Sequence, residues 1–242
     1  MQILVISDIH ANLTAFQAVL DHSGDQWEKI WCLGDIIGYG PDPNQCVELL
    51  RQYPHITLVG NHDHASLGKL DISTFNNDAK TAVQWTQSVL NDDNRAFLEA
   101  QEPMRIEEGI TLAHGSPRKP IWEYITDSFI AWENFDHYET KHCLVGHTHY
   151  PVVFEHDDET GSRLIEADFE NPIQLTEKRA IINPGSVGQP RDSDPRAAYA
   201  LLDLETMTWQ HKRIEYDIQS VQQRMMQADL PARLIARLEY GW

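Results

Sequence analysis

The first sixty residues alternate short apolar runs with stretches of helical spacing, and this order restricts the fold most strongly. The apolar runs cover residues 3–6, 30–33 and 56–59. Between the first two, Leu13, Phe16 and Leu20 recur at helical spacing after a possible N-cap at Asn12. Such alternation is typical of a βαβαβ unit, so we predict an α/β fold with a parallel sheet.

The rest of the chain adds further predicted strands and helices. Two helices are expected within residues 67–103, which we interpret as an insertion beside the candidate metal site described below. One more helix is expected over residues 127–135. Strand patterns return at residues 111–113, 143–145, 152–154 and 181–182, and we expect the second half to form a second sheet. A terminal helix from about Pro231 is expected to pack on the body. The economical interpretation is a single domain over residues 1–242.

Charge composition narrows the classes of partner. The chain has 37 acidic and 19 basic residues, a formal net charge of −18, which repels polyanions. Broad binding to nucleic acid or to an anionic membrane is therefore disfavoured, and no apolar run approaches the ~20 residues that span a bilayer. A small phosphorylated substrate would need a local positive charge, such as a bound metal ion.

The cysteines indicate the compartment. The three cysteines form no CxxC pattern, and the chain opens with an apolar strand pattern rather than a secretory leader. We therefore expect a cytoplasmic protein, with Cys32 and Cys143 as core residues.

Five apolar runs are each followed directly by residues that can bind a metal ion. Because ligands of open α/β sheets bind outside the carboxyl ends of the strands, these five loops can converge on one point. The remaining histidines outside the loops are interpreted as core or solvated residues. The loop residues are Asp8, His10, Asp35, Asn61, His62, Asp63, His114, His147 and His149.

Mixed carboxylate, imidazole and amide ligands suit Mn, Fe, Zn or Ni, whereas a structural zinc site would normally use thiolates. Side chains two residues apart in an extended segment point the same way, so Asp8 and His10 can reach one ion. His147 and His149 repeat this spacing. Two such pairs indicate two ions that share a bridging carboxylate.

The order of the motifs DxH, GD, GNHD, HG and GHTH, followed by residues 183–191 (NPGSVGQPR), resembles the calcineurin-like metallophosphoesterases, in their bacterial and archaeal small-phosphoesterase branch. The resemblance implies a four-layer α/β sandwich of two facing mixed β-sheets flanked by helices. It also implies two divalent transition metal ions per chain at one edge of the sandwich.

The resemblance further implies a role for each loop residue. It assigns Asp8, His10 and His149 to one ion, and Asn61, His114 and His147 to the other. Asp35 would bridge both ions. His62 would be the catalytic general acid or phosphate contact, since a histidine that binds no metal can titrate near neutral pH, with Asp63 orienting it.

The implied reaction is hydrolysis of a phosphodiester, or a phosphomonoester, of a small soluble substrate such as a nucleotide, through a hydroxide that bridges the two ions. No protein nucleophile is needed, so Ser186 is interpreted as part of a tight turn whose backbone amides are available to a phosphate. Arg191 either binds the substrate phosphate or pairs with Asp192 or Asp194.

Differences between this sequence and related phosphoesterase families exclude some classes of substrate. Residues 34–40 (GDIIGYG) lack the GDxxDRG pattern of the protein serine/threonine phosphatases, and the acidic charge disfavours a DNA-repair nuclease. Specificity is expected in residues 67–77 and 121–138. The sequence leaves open the native metal, the choice between diester and monoester, and the oligomeric state.

Two alternatives are kept. The first is a non-catalytic metal-binding scaffold of the same fold. In such a protein we would expect some ligand positions to be replaced by residues that bind no metal, and every ligand position is retained here. A dinucleoside polyphosphate hydrolase would need arginines and aromatic residues to grip a base. Trp122, Tyr124 and Trp132 are candidates for that role, although aromatic residues more often belong to the core.

Overall fold

The structure is a computed structural model that describes residues 1–175 and 178–242. Within these residues two six-stranded mixed sheets face each other, with helices on the outside. This arrangement confirms the predicted four-layer α/β sandwich. The strands are β1 (Gln2–Ile6), β2 (Lys29–Cys32), β3 (His55–Thr57), β4 (Met104–Glu107), β5 (Ile110–Ala113), β6 (His142–Val145), β7 (Val152–Asp157), β8 (Gly161–Glu166), β9 (Ile173–Gln174), β10 (Ala180–Asn183), β11 (Ala197–Asp203) and β12 (Thr208–Ile214).

Most helices lie where the sequence predicted them, but those over Asn61–Ser66 and Ile218–Gln227 were not predicted. Asn12 caps the first helix by accepting a hydrogen bond from the amide of Ala15 at 3.1 Å. A short 3₁₀ turn over Phe135–His137 follows the sixth helix. No helix among the described residues is long and apolar enough to cross a membrane. The helices are α1 (Leu13–Ser23), α2 (Pro43–Leu50), α3 (Asn61–Ser66), α4 (Asn77–Val89), α5 (Asp92–Glu99), α6 (Ser128–Asn134), α7 (Ile218–Gln227) and α8 (Ala232–Tyr240).

The first sheet has the order β3-β2-β1-β11-β12-β9. Its β1, β2 and β3 are parallel, as the βαβαβ pattern predicted. The second sheet has the order β4-β5-β6-β10-β7-β8, with β5, β6 and β10 parallel.

One expectation about the sheets is wrong. The second half of the chain does not form only the second sheet, because β11 returns to pair antiparallel with β1 and brings β12 and β9 with it. All residues of β11 except Asp203 are buried, so this strand fits the centre of the first sheet.

The core follows the layers. Ile3, Trp31 and Leu202 from the first sheet meet Leu144 and Ile182 from the second between the sheets. A second cluster holds α1 and α2 against the outer face of the first sheet, and a third holds α6 against the second. Cys32 and Cys143 are fully buried, as predicted.

The terminal helices pack on the body, as predicted for α8. Leu234 and Leu238 of α8 join Val221 and Met225 of α7 in a cluster that also contains Tyr39. The C-terminal end of the chain is thereby held next to the loop that follows β2.

Candidate metal centre

The carboxyl ends of β1, β2, β5 and β6, with the start of α3, bring the predicted ligands to one edge of the sandwich. Asp8 and His10 follow β1, Asp35 follows β2, and His114 directly follows β5. The arrangement agrees with the rule that loops at the carboxyl ends of parallel strands converge.

Asp8, His10 and His149 form one group of buried ligand atoms, all within 4.8 Å of one another. His149 Nε2 lies 3.2 Å from Asp8 Oδ1 and 3.1 Å from His10 Nε2. This group is the set of residues that the sequence analysis assigned to a single ion.

Asp35, His114 and His147 form the second group, under the same 4.8 Å limit. Asn61 adds an amide oxygen 3.2 Å from His114 Nε2. Asp35 Oδ2 lies 3.5 Å from His114 Nε2 and 3.7 Å from His10 Nε2, so this carboxylate stands between the two groups. That position is the one a bridging ligand would require.

Main-chain carbonyls orient three of the imidazoles. The Nδ1 of His10 lies 3.3 Å from the carbonyl of Ile37, and that of His114 lies 2.9 Å from Leu33 O. His149 Nδ1 lies 2.5 Å from Gln189 O. Donation through Nδ1 leaves the Nε2 lone pair free to coordinate a cation.

Burial sets the protonation of the histidines. It lowers the pKa of His10 and His147 well below the ordinary value, and lowers the pKa of His149 to about 4. At neutral pH these imidazoles are therefore neutral, which is the form that binds metals.

The two carboxylates behave differently from each other. Burial would raise the pKa of Asp8, but the adjacent imidazole of His149, whose Nε2 lies 3.2 Å from Asp8 Oδ1, holds that pKa well below its ordinary value. Burial raises the pKa of Asp35 well above its ordinary value, and the charges of Asp63 and Asp8 add to the rise. A cation between the groups would relieve this repulsion.

Several buried atoms of the site have no hydrogen-bond partner among the described residues. They include Asp8 Oδ1, Asp35 Oδ2 and His147 Nε2, which all face the space between the ligands. Buried polar atoms are normally satisfied, so a cluster of such orphans among the ligand atoms is what an ion bound between them would explain. A carboxylate and imidazole donor set without thiolates fits divalent transition metals.

The ligand loops adopt backbone conformations that side chains rarely accept. Asp8, His10, Asp35, His147 and His149 all have φ between 47° and 65°. Left-handed conformations of non-glycine residues carry strain that the surrounding structure must offset, and such residues cluster at functional sites.

The 185–188 turn supplies part of that support. Ser186 Oγ donates to Asp8 O at 2.8 Å, and the amide of Gly188 donates to the same oxygen at 3.0 Å. A Cβ at Gly188 would stand 1.8 Å from Ile9 O, so only glycine fits. The expectation that the amides of this turn are available to a phosphate is therefore wrong, because those of Val187, Gly188 and Gln189 bond within the protein.

His62 faces the site but belongs to neither ligand group. Its ring packs 4.1 Å from that of Tyr39 and 5.4 Å from that of Phe75, and its buried Nδ1 has no partner among the described residues. Burial, followed by the charge of Arg191, lowers the pKa of His62 well below the ordinary value. His62 is therefore neutral at pH 7, although the sequence analysis expected titration near neutrality.

Asp63 does not lie against the imidazole of His62 as an orienting partner. Its Oδ2 accepts the amide of Gly60 at 2.9 Å, and its Oδ1 accepts the amide of Ile37 at 3.0 Å. Asp63 therefore caps α3 and ties that loop to the loop after β2, so it acts on the site through the backbone.

Arg191 lies beside the centre. Its Nη2 donates to Gln189 Oε1 at 2.9 Å, and its guanidinium stands 5.9 Å from the ring centre of Tyr39. Neither Asp192 nor Asp194 pairs with it, since these carboxylates pair with Arg213 and Arg196 in the part of the chain that the structure describes. Of the two roles weighed from the sequence, the ion pair with Asp192 or Asp194 is therefore wrong, and substrate binding by Arg191 stays a prediction.

An aromatic rim surrounds the centre, defined by Tyr39, Phe75, Trp122 and Tyr124. Tyr124 stacks on His147 with 3.7 Å between ring centres, and Trp122 contacts Phe75 at 5.6 Å. Trp122 and Tyr124 are 40% and 42% exposed, so they do not belong to the core, which was the alternative weighed for them. Neither Tyr39 nor Phe75 was predicted to lie at the site, although Phe75 is within the predicted specificity segment 67–77.

Trp132, the third aromatic candidate, lies away from the centre. It belongs to α6, which packs on β8, and its ring covers Gly161. It contributes nothing to the rim.

The rim residues after β5 are held by an ionic network around Glu123. The Glu123 carboxylate accepts hydrogen bonds from Ser116 at 2.7 Å, from Asn134 at 2.9 Å and from Arg118. Burial alone would raise the pKa of Glu123, but these bonds hold it at about 2. The network holds Glu123 in place, and Glu123 lies between the rim residues Trp122 and Tyr124 in the chain.

Comparison with known proteins agrees with the geometry. Residues 1–207 match the profile of the calcineurin-like phosphoesterase superfamily domain. The chain is 40% identical to an uncharacterized protein of Methanocaldococcus jannaschii, over 99% of this chain and 98% of that protein.

Solved structures give the same result. The crystal structure of a metallophosphoesterase from Sphaerobacter thermophilus shares 43% identity with a TM-score of 0.92, covering 100% of this chain and 99% of that one. A hypothetical protein from Pyrococcus horikoshii shares the fold at 21% identity, with a TM-score of 0.80 and coverage of 100% and 98%.

Proposed function

Because the chain belongs to the calcineurin-like phosphoesterase superfamily, we propose that it is a metal-dependent phosphodiesterase that acts on a small soluble substrate such as a nucleotide. One observation carries the proposal. Asp35 Oδ2 lies between two groups of buried ligands, 3.5 Å from His114 on one side and 3.7 Å from His10 on the other.

The ligands divide between two divalent ions in this proposal. Asp8, His10 and His149 would hold one, Asn61, His114 and His147 would hold the other, and Asp35 would bind both. Such ions supply Lewis acidity, which lowers the pKa of a water molecule and stabilises charge on phosphoryl oxygens.

His62 and Arg191 are proposed to bind the phosphate. A neutral imidazole can donate a hydrogen bond to a phosphoryl oxygen, and the negative charge of bound phosphate would raise the pKa of His62. His62 can then pass a proton to the leaving oxygen. Arg191 offers a planar set of donors that matches phosphate oxygens. Asp63 is a positioning residue that holds the backbone between these groups.

The character of the rim supports an aromatic substrate. Trp122 and Tyr124 expose ring surface next to the ligand groups, where a base can stack. The excess of acidic residues, with a net charge of −18, supports a small substrate over a nucleic acid. Three free buried cysteines support the proposal that the protein works in the cytoplasm.

The non-catalytic scaffold is the competing proposal. A scaffold needs no residue that donates a proton to a leaving group. His62, however, is buried at the site, belongs to neither ligand group and has an Nδ1 without a partner among the described residues. The complete ligand set and the presence of His62 together favour the enzyme.

Hydrolysis of bis-p-nitrophenyl phosphate and of p-nitrophenyl phosphate tests the function. Protein stripped by chelator and refilled with manganese is expected to cleave the diester faster, and to bind two ions per chain. Faster cleavage of the monoester would instead identify a phosphatase. Two bound ions without cleavage of either ester would contradict the enzyme and favour the scaffold.

A further inference from the structure

A cavity of about 760 Å³ lies between α8 and the start of α4. Its volume falls within the range of roughly 300–1,000 Å³ that is usual for small-molecule sites. None of its residues belongs to the ligand groups or to the aromatic rim. Its polar and aromatic lining includes Asn76, Asp78, Arg233, Arg237, Tyr240 and Trp242.

This cavity adjoins the candidate metal centre on two sides. Asn76 directly follows Phe75, whose ring lies 5.4 Å from that of His62. On the other side, Leu234 of α8 lines the cavity and packs in one apolar cluster with Tyr39. The cavity therefore lies beside two of the rim residues, Phe75 and Tyr39.

Two arginines line this cavity without forming an ion pair among the described residues. Six of the twelve arginines form ion pairs with aspartate or glutamate. Within the described residues, Arg191, Arg233 and Arg237 form no such pair, although the chain has 37 acidic residues. Asp78 lines the same cavity but stands beyond ion-pair distance of both cavity arginines.

Arg237 is the half-buried arginine of the cavity, whereas Arg233 is exposed. Its Nε donates to the main-chain oxygen of Trp242, which leaves both terminal nitrogens without a partner among the described residues. Burial, followed by the charge of Arg191, lowers the pKa of Arg237 to about 10. Like charges held together in this way are stabilised by a bound anion.

An aromatic pair completes the lining. Tyr240 and Trp242 stack with 4.8 Å between ring centres and an angle of 25°. They are 49% and 61% exposed, so the pair offers free ring surface beside the arginines. Stacked aromatic residues beside a positive charge suit a planar base attached to phosphate.

We infer that the cavity is a second substrate-binding site, in which Arg233 and Arg237 bind a phosphate beyond the scissile one and Tyr240 and Trp242 bind a base. This inference rests on the proposed phosphoesterase activity. It defines the substrate class as a nucleotide that carries at least two phosphate groups, and it makes α8 a determinant of specificity.

Competition with ADP and AMP tests the inference. We expect ADP to inhibit the hydrolysis of bis-p-nitrophenyl phosphate by the manganese-loaded enzyme more strongly than AMP. Arg237→Gln should raise the inhibition constant for ADP about tenfold, the loss typical of one charge-assisted hydrogen bond. Arg163→Gln, which removes the same charge from an exposed position on β8, is the matched control and should leave hydrolysis and inhibition unchanged.

Two further measurements complete the test. Arg233→Gln removes an exposed side chain, so its smaller expected rise in the inhibition constant does not depend on how Arg237→Gln folds. Calorimetric titration of the same proteins with ADP measures binding without turnover. Absence of hydrolysis with intact ADP binding would contradict the proposed function alone. Equal ADP affinity in wild type and both variants, or no ADP binding, would overturn the second site.

Discussion

The metal centre and the rim beside it are built in different ways. The predicted ligands are almost fully buried, and their backbones are held by hydrogen bonds from neighbouring loops. Trp122 and Tyr124 are about half exposed and come from a loop fixed by side-chain contacts. The candidate ligands thus depend on strand ends, whereas the rim depends on segments from distant parts of the chain, to which the proposed function assigns selectivity.

If the centre works as one unit, Asp35→Asn should have the largest effect. Asp35 alone stands between both ligand groups, so we expect loss of about one ion per chain and a fall in kcat of at least ~10³-fold. Metal analysis and hydrolysis rates measure the two effects. Full metal content with full activity would remove Asp35 from the bridging position.

His62→Ala should separate catalysis from metal binding. The main-chain amide of His62 bonds Asp35 Oδ1 at 2.9 Å and survives the substitution, so the ion content should stay at the wild-type value. The fall in kcat should be about 10²–10³-fold, as for loss of a general acid. Equal metal loss in this variant and in Asp35→Asn would contradict separate roles for the two residues.

Trp122→Ala tests whether the rim binds substrate. We expect KM for an aromatic diester to rise about fivefold, since one stacking contact is lost, while metal content is unchanged. Trp132→Ala is the matched control because Trp132 is similarly exposed but lies on α6, packed against β8 and away from the centre. The same KM change in both variants would exclude a specific role for the rim.

Glu123→Gln should have the smallest effect on turnover and should be most visible in stability. Because the folded pKa of about 2 is below the ordinary value of 4.5, the charged form stabilises the protein above pH 4.5, and this contribution is lost as pH falls toward 2. The variant should lose about 2 kcal/mol in the free energy of unfolding at neutral pH.

Urea denaturation at pH 7 and pH 3 measures this loss, and the difference between variant and wild type should narrow at pH 3. Glu133→Gln is the control, because Glu133 is more exposed and makes a single contact with Arg118. A difference that stays constant with pH would show that the Glu123 charge is not what holds the rim loop.

Much of the fold followed from local patterns. Asn12, Pro43 and Gly24 mark helix ends through caps that depend on neighbouring residues only, and they lie at the ends of α1 and α2 in the structure. The membership of β11 in the first sheet could not be predicted, because it depends on pairing with β1 about two hundred residues earlier. A buried strand has the same apolar pattern in either sheet.

The candidate site divides in the same way. The five ligand loops could be selected because each follows its strand directly. The position of Phe75 over His62, and of α8 beside Tyr39, arises from packing between segments far apart in sequence. No local pattern encodes that proximity, and the role of Asp63 as a backbone tie was likewise hidden by its place in a motif.

The pairing of β1 with β11 also determines when the protein can fold during synthesis. The first three strands are made early, but β1 lacks a neighbour on one side until residues 197–203 leave the ribosome. Ser186 and Gly188, which hold the Asp8 loop, arrive at nearly the same time. The nascent chain therefore completes its first sheet and its metal-binding loops together and late, and incomplete chains expose an apolar strand edge that is prone to aggregation.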